Sequence, residues 1–135
     1  SSYYKQTLGA LEMGEKYSPH EWCYDFEDYV LHYFMHYGTS RIDGRHLCHP
    51  GVVQLYIHDL KNKTNLLETL RTYLELGGNA VLTAQKLYIH RNTLYQRLKK
   101  INGIIHTNLD DANTRLFIMM SYTFVDLLGL SPVES

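Results

Sequence analysis

The stretch NAVLTAQKLYIHRNTLYQRLKKI, residues 79–101, decides the fold. It predicts two short helices joined by a turn over residues 88–90. Ala84 supplies a small side chain where the two helices would cross closely. Four apolar residues follow it at intervals of three, five, ten and fourteen positions: Leu87, Ile89, Leu94 and Leu98. This spacing is typical of a helix-turn-helix, which holds its second helix out to fit the major groove of DNA.

A helical wheel over residues 91–102 separates an apolar side from a polar side. Leu94, Leu98 and Ile101 share the side that faces the core. The polar side carries no acidic residue; it consists of Asn92, Thr93, Tyr95, Gln96, Lys99 and Lys100. Because an exposed helix without a ligand usually mixes both signs of charge, this composition favours a nucleic-acid ligand over an ordinary helical hairpin.

The residue types on this helix predict two kinds of DNA contact. Arg reads guanine, and Asn and Gln read adenine, whereas Lys and Thr bind phosphates. Base contacts are predicted for His90, Arg91, Asn92 and Gln96. Backbone contacts are predicted for Asn79, Thr93, Tyr95, Arg97, Lys99 and Lys100. Arg97 lies near the apolar side, so packing beside the core is its alternative role.

Charge is unevenly distributed along the chain, although the net charge is only -1. Residues 1–60 hold four basic against eight acidic side chains, and residues 104–135 hold one basic against four acidic. Between them, residues 61–103 hold eight basic side chains against two acidic. A basic block of this kind is expected of a surface that binds a polyanion, and a solvated basic helix face is the alternative.

The other segments also have helical patterns, so the sequence predicts an all-α helical bundle of about five to seven helices around the helix-turn-helix. Further helices are predicted over residues 3–16, 25–37, 51–59 and 111–128. Residues 38–50 are predicted to be a loop or a short helix. The helix over residues 25–37 has a broad apolar face of Phe26, Tyr29, Val30, Tyr33, Phe34 and Tyr37. The helix over residues 111–128 has a wide apolar set of Leu116, Met119, Met120, Phe124, Leu127 and Leu128, and it is expected to be well buried.

Capping residues predict where the central helices begin and end. Asn65 is an N-cap type with Glu68 three residues later, as in a capping box. The Gly77-Gly78 pair is predicted to end that helix, and Asn79 to cap the next. Gly103 is predicted to stop the second helix of the helix-turn-helix.

Composition limits the class of protein. The 135 residues, 44% of them hydrophobic, suit one compact domain or one domain plus a fragment. No apolar run of about 18 residues predicts a membrane span, and no leader pattern predicts secretion. Two cysteines make no disulfide framework, which favours a cytoplasmic protein. The start at Ser1-Ser2 suggests a piece of a longer protein.

Other candidate sites are weaker. His32, His36, His46, Cys48 and His49 could form a zinc site, but no recognised ligand spacing closes the set, and no metal or other cofactor is predicted. No nucleophile elbow, phosphate-binding glycine loop or carboxylate pair predicts an enzyme. The tyrosines of residues 24–37 predict packing, with a small-molecule pocket beside an upstream domain as the alternative.

Residues 66–101 resemble the C-terminal helix-turn-helix of the purine catabolism regulator and sugar diacid regulator (PucR/CdaR) family, above all in the run HRNTL at residues 90–94. The resemblance covers about residues 49–129 and reaches weakly back through His49-Pro50 and Asp59. The motif is also similar to that of factor-for-inversion-stimulation (Fis) proteins. Those usually have Gly at the turn where this chain has Tyr88, for which a positive φ would be unfavourable.

The resemblance implies the DNA-binding output domain of a metabolite-responsive bacterial transcription regulator. It implies a DNA-binding domain at residues 49–130, and linker helices or the tail of an upstream sensory module at residues 1–48. The expected partner is double-stranded DNA, bound by a homodimer or higher homo-oligomer, with RNA polymerase as a further partner. The alternative is a protein-interaction module whose basic helix binds an acidic partner.

Overall fold

The structure, a computed structural model, describes the backbone of residues 26–127. The predicted helix at residues 3–16 lies outside these residues, as does Cys23. The chain divides into two compact units between Gly44 and Arg45. The assignment of residues 1–48 to an upstream module and of residues 49–130 to a DNA-binding domain stays a prediction.

The described residues form seven helices and no strand, which confirms the prediction of an all-α fold. In chain order they are α1 (Phe26–Thr39), α2 (Gly44–Leu47), α3 (Pro50–Asn62), α4 (Leu66–Glu75), α5 (Ala80–Lys86), α6 (Arg91–Ile105) and α7 (Ala112–Leu127). The helix α1 lies in the first unit, and α3 to α7 lie in the second.

The described part of the apolar face predicted for α1 is largely exposed, and the side chains of Phe26 and Tyr29 lie outside the description. Val30, Phe34 and Tyr37 are exposed, and Phe34 has 71% of its surface accessible. The rings of Tyr33 and Tyr37, one turn apart, lie 4.7 Å from each other between centroids, so part of this face packs on itself. Among the α1 side chains that the structure describes, Met35 is the buried one.

The core of the second unit joins four helices. Its buried members are Val52 and Leu55 of α3, Leu66 and Leu70 of α4, Ile101 and Ile105 of α6, and Ile118 and Tyr122 of α7. The helix α4 packs against α3, α5, α6 and α7, and α6 packs against α3, α4 and α5. The α6 helix is therefore held on three sides, and this arrangement determines which of its residues face solvent.

The start of α4 differs from the predicted capping box. Asn65 makes no side-chain capping hydrogen bond. Instead, the carboxylate of Asp59 in α3 accepts hydrogen bonds from the backbone N–H groups of Leu66, at 2.9 Å, and Leu67, at 2.8 Å. It also accepts one from the Thr64 hydroxyl. Because a charged acceptor already satisfies two of the first free N–H groups, the helix does not need the Asn65 side chain.

The start of α3 is also capped by a side chain. Nδ1 of His49 accepts a hydrogen bond from Gly51 N at 3.0 Å, and Pro50 occupies the first helical position, where its missing N–H costs nothing. The backbone N–H of His49 donates to Ser121 Oγ of α7 at 2.7 Å. Burial lowers the pKa of the His49 ring, in keeping with the unprotonated Nδ1 that this cap requires.

The prediction that Gly103 stops α6 is wrong. The helix continues to Ile105 and is capped by His106 in the left-handed conformation, with a φ of 47°. Ile105 is buried against Gly51, where an added Cβ would lie only 2.8 Å from the Ile105 Cβ. Ile105 thus extends the apolar side of α6 by one more turn, and this packing outweighs the modest helix cost of an exposed glycine.

The prediction of a widely buried α7 is wrong in its first half. Leu116 has 59% of its surface accessible, whereas Ile118 and Ser121 have none. Further along, Tyr122 and Phe124 are buried, as predicted for Phe124. The side chain of Leu127 and all of Leu128 lie outside the described residues. The helix α7 packs on α4 and α3, and the Tyr122 hydroxyl donates to the Leu67 carbonyl of α4 at 2.7 Å.

Candidate nucleic-acid interface

The helix-turn-helix is formed by α5 and α6, as predicted. Gly77 and Gly78 have φ values of 65° and 78° and end the preceding turn, where a left-handed backbone favours glycine. Asn79 caps α5, since its Oδ1 accepts a hydrogen bond from Leu82 N at 3.0 Å. Ala84 is buried, which confirms that a small residue lies at the helix crossing.

The turn between α5 and α6 puts Tyr88 in a left-handed conformation, with a φ of 53°. A hydrogen bond from Ile89 N to the Ala84 carbonyl, at 3.0 Å, closes the turn. The Tyr88 side chain is 96% exposed. The conformation typical of glycine is therefore kept here at some conformational cost, because a non-glycine residue in this region is unfavourable by about 1–2 kcal/mol.

The phase of α6 agrees with the predicted helical wheel. Leu94 and Ile101 have no accessible surface, and Leu98 is half-buried against the same core. Seven of the predicted contact residues on α6 are exposed: Arg91, Asn92, Thr93, Tyr95, Gln96, Lys99 and Lys100. The structure therefore presents them together along one helix, while their contacts with DNA stay predictions.

His90, a predicted base-contacting residue, is also the N-cap of α6. Its Nδ1 accepts a hydrogen bond from Asn92 N at 3.2 Å. The ring is exposed, and this bond orients it at the end of the helix where Arg91 and Asn92 begin. His90 thus sits at the end of a recognition helix that usually points towards the bases.

Arg97 is partly turned towards the protein. Its Nη1 donates to Thr69 Oγ1 at 3.1 Å, and Thr69 is fully buried in α4. This is the alternative role that the wheel left open. A backbone contact from Arg97 stays a prediction, but the guanidinium is already anchored between α4 and α6.

A groove runs between the start of α4 and the polar side of α6, and we call it the α4–α6 groove. Its volume is about 720 Å³. One side is formed by Lys63, Thr64, Asn65 and Leu66, and the other by Thr93, Gln96, Arg97, Lys99 and Lys100. Lys63 belongs to the basic block of the sequence, but its proximity to α6 depends on how α3 and α4 pack and could not be predicted from the sequence.

The basic block divides into paired and unpaired cations. Arg71 donates to Glu75 and Asp126, both at 3.1 Å, and Lys86 lies 3.6 Å from Glu75. In the described part of the chain, no carboxylate lies within ion-pair distance of the other basic residues on or beside α6: Lys63, Arg91, Arg97, Lys99 and Lys100. The uncompensated positive charge is thus concentrated around α6.

The metal site and the reactive cysteine that the sequence offered as weaker candidates find no support among the described side chains. Among the side chains that the structure describes, which do not include that of His32, no three from His, Cys, Asp or Glu are close enough to hold a metal ion together. Cys48 is buried, and burial raises the pKa of its thiol, so little reactive thiolate is present. No helix in the described part is long and apolar enough to cross a membrane.

Comparison with known proteins agrees with this geometry. Residues 66–123, which run from the start of α4 into α7, match the PucR C-terminal helix-turn-helix domain family. The DNA-binding transcriptional activator AdeR of Bacillus subtilis (strain 168) is 23% identical over 121 residues, which are 89% of this chain and 29% of AdeR. No solved structure matches the chain.

Two further relatives are transcription regulators by name. The purine catabolism regulatory protein of Bacillus subtilis (strain 168) is 37% identical over 65 residues, 48% of this chain and 12% of that protein. The carbohydrate diacid regulator of Escherichia coli (strain K12) is 25% identical over 118 residues, 87% of this chain and 30% of that protein. The chain thus spans less than a third of the length of each of these three relatives.

Proposed function

We propose that this chain is the DNA-binding output end of a metabolite-responsive bacterial transcription regulator, because residues 66–123 match the PucR C-terminal helix-turn-helix domain family. In this proposal α6 enters the major groove of its operator. The relatives that carry regulator names support the proposal. Such a protein works in the cytoplasm and needs no catalytic group.

The observation that carries the proposal is the acid-free exposed side of α6. The helix is anchored through Leu94 and Ile101, so the side chains opposite these residues are presented to solvent in a fixed orientation. They combine residues that read base edges with cations that have no carboxylate partner among the described residues. This combination fits a duplex, which offers base edges and phosphates together.

Individual roles follow from position on α6. His90, Arg91, Asn92 and Gln96 are proposed to contact bases, since three of them lie at the N-terminal end that enters a groove first. Thr93, Tyr95, Lys99 and Lys100, with Asn79 at the start of α5, are proposed to contact the sugar-phosphate backbone. For Arg97 we propose a backbone contact made by a guanidinium that Thr69 already holds at Nη1.

A single recognition helix reads only a few base pairs, and useful specificity normally needs two half-sites. We therefore propose that the regulator acts as a homodimer or higher homo-oligomer on an operator with two half-sites. Control by an upstream sensory module belongs to the same proposal, because the relatives extend well beyond the matched region. RNA polymerase is proposed as a further partner.

The test is a selection of bound duplexes from a random pool at physiological salt, with the 135-residue chain as bait. A recurrent sequence motif is expected, with an affinity that falls steeply as salt is added. A chain that recovers no motif and whose duplex binding does not change with salt would refute the proposal. A module that binds an acidic protein would show no preference among duplexes.

A further inference from the structure

The turn after α3 places one more cation beside α6, the helix proposed to contact DNA bases. Lys63 is the C-cap of α3, with a φ of 53°, and its side chain is exposed. It lines the α4–α6 groove opposite Lys99 and Lys100. From sequence alone Lys63 lies some thirty positions from α6, and only the packing of α3 and α4 against α6 brings it there.

The charges around the groove all have one sign. Of its nine lining residues, four are cations and none is acidic: Lys63, Arg97, Lys99 and Lys100 are the cations. The carboxylate of Asp59, which shares this turn, has both oxygens occupied by the Thr64 hydroxyl and the N–H groups of Leu66 and Leu67. The groove is therefore a surface for an anion, and nothing that lines it neutralises its charge.

The backbone of Lys63 is held in place before any ligand arrives. Its N–H donates to the Asp59 carbonyl, and Thr64 N donates to the same carbonyl at 3.3 Å. Asp59 thus fixes both the end of α3 and the start of α4, and the point from which the Lys63 side chain leaves the backbone is fixed relative to α6.

The position of the groove selects its occupant. Its volume lies within the range of small-molecule sites, about 300–1,000 Å³, so size alone does not distinguish a small molecule from a duplex. The wall formed by α6, however, contains Gln96 and Thr93, which are proposed to contact a base and the backbone of the operator. With those contacts, a duplex held by α6 runs its sugar-phosphate backbone past the mouth of this groove.

We propose that Lys63 is a further DNA-contacting residue, which binds backbone phosphate across the α4–α6 groove from Lys99 and Lys100. This inference rests on the proposed DNA binding and extends its surface from α6 to the α3–α4 turn. A phosphate contact positions the protein on the duplex but carries no sequence information, so Lys63 contributes to affinity and not to the choice of operator.

The test uses the 135-residue chain and two duplexes, one selected from the random pool and one with the same composition in scrambled order. In Lys63→Asn the charge is removed by a residue that tolerates the left-handed backbone. The matched control is Lys61→Gln, which removes the same charge two positions earlier, where the exposed side chain does not line the groove. A second variant, Lys63→Gly, also suits the positive φ and allows the same test if Lys63→Asn fails to fold.

The readout is the slope of log affinity against log salt concentration. Loss of one phosphate contact should make the slope shallower by about 0.9 in Lys63→Asn and Lys63→Gly, equally on both duplexes. The slope of Lys61→Gln should stay that of the parent. Equal slopes for all variants, or the same reduction at Lys61, would overturn the assignment of Lys63, while a parent that binds neither duplex would overturn the proposed function itself.

Discussion

Replacement of Asp59 should destabilise the second unit far more than replacement of Asn65, although Asn65 has the sequence position of the helix cap. The Asp59 carboxylate accepts from two backbone N–H groups, at 2.9 and 2.8 Å, and its side chain is only 14% exposed. Loss of an N-cap costs about 0.5–2 kcal/mol, and hydrogen bonds to a charged group contribute about 1.5–3 kcal/mol. We therefore expect Asp59→Ala to lower the free energy of unfolding by about 2–4 kcal/mol.

Two matched variants sharpen this expectation. Asp59→Asn keeps one acceptor oxygen and should cost about half as much, whereas Asn65→Ala removes no capping bond and should stay within about 0.5 kcal/mol of the parent. The measurement is urea unfolding followed by far-ultraviolet circular dichroism, with the m-value compared among the variants. If Asn65→Ala is as costly as Asp59→Ala, the capping box starts α4 and the role assigned to Asp59 is wrong.

Three further expectations concern single residues. Because the pKa of His49 is lowered by burial, the unfolded state binds more protons than the folded state just below pH 6.5. The free energy of unfolding should therefore fall as the pH drops below about 6.5. In a plot of urea midpoint against pH, His49→Asn, which keeps a capping acceptor, should flatten this fall. Tyr88→Gly should be more stable than Tyr88→Ala by about 1 kcal/mol, since only glycine relieves the left-handed strain, and equal thermal midpoints would contradict that strain. Arg91→Ala and Asn92→Ala should each change the free energy of unfolding by no more than about 0.5 kcal/mol. In paired titrations of selected and scrambled duplexes, each should lose about 1–3 kcal/mol of discrimination at one base pair. Unchanged discrimination would mean that these residues do not read bases.

The parts of the fold that could be predicted depend on neighbours along the chain. The seam of Leu94, Leu98 and Ile101 follows from helical spacing, and the cap at Asn79 acts on an N–H three residues away. Both features are visible in a short window of sequence. The helix-turn-helix and the exposed side of α6 could therefore be placed without a structure.

The parts that could not be predicted depend on contacts between distant segments. The acceptor that starts α4 lies in the preceding helix, at Asp59, whereas the residue next to Leu66 that has the sequence of a cap is Asn65. Gly103 does not end α6 because Ile105 packs against Gly51. The neighbours of Lys63 were hidden for the same reason, since the α4–α6 groove exists only after α3, α4 and α6 have packed together.

The structure separates the residues that hold α6 from the residues that face solvent on it. Leu94 and Ile101 are fully buried against neighbouring helices, so α6 is ordered before it meets a ligand and binding need not supply the free energy to fold it. Substitutions on the exposed side therefore leave the core contacts untouched. If α6 reads DNA as proposed, Arg91 and Asn92 could be exchanged to change the preferred operator, while Lys99, Lys100 and Lys63 would set the affinity for any duplex, because phosphates are the same in every sequence.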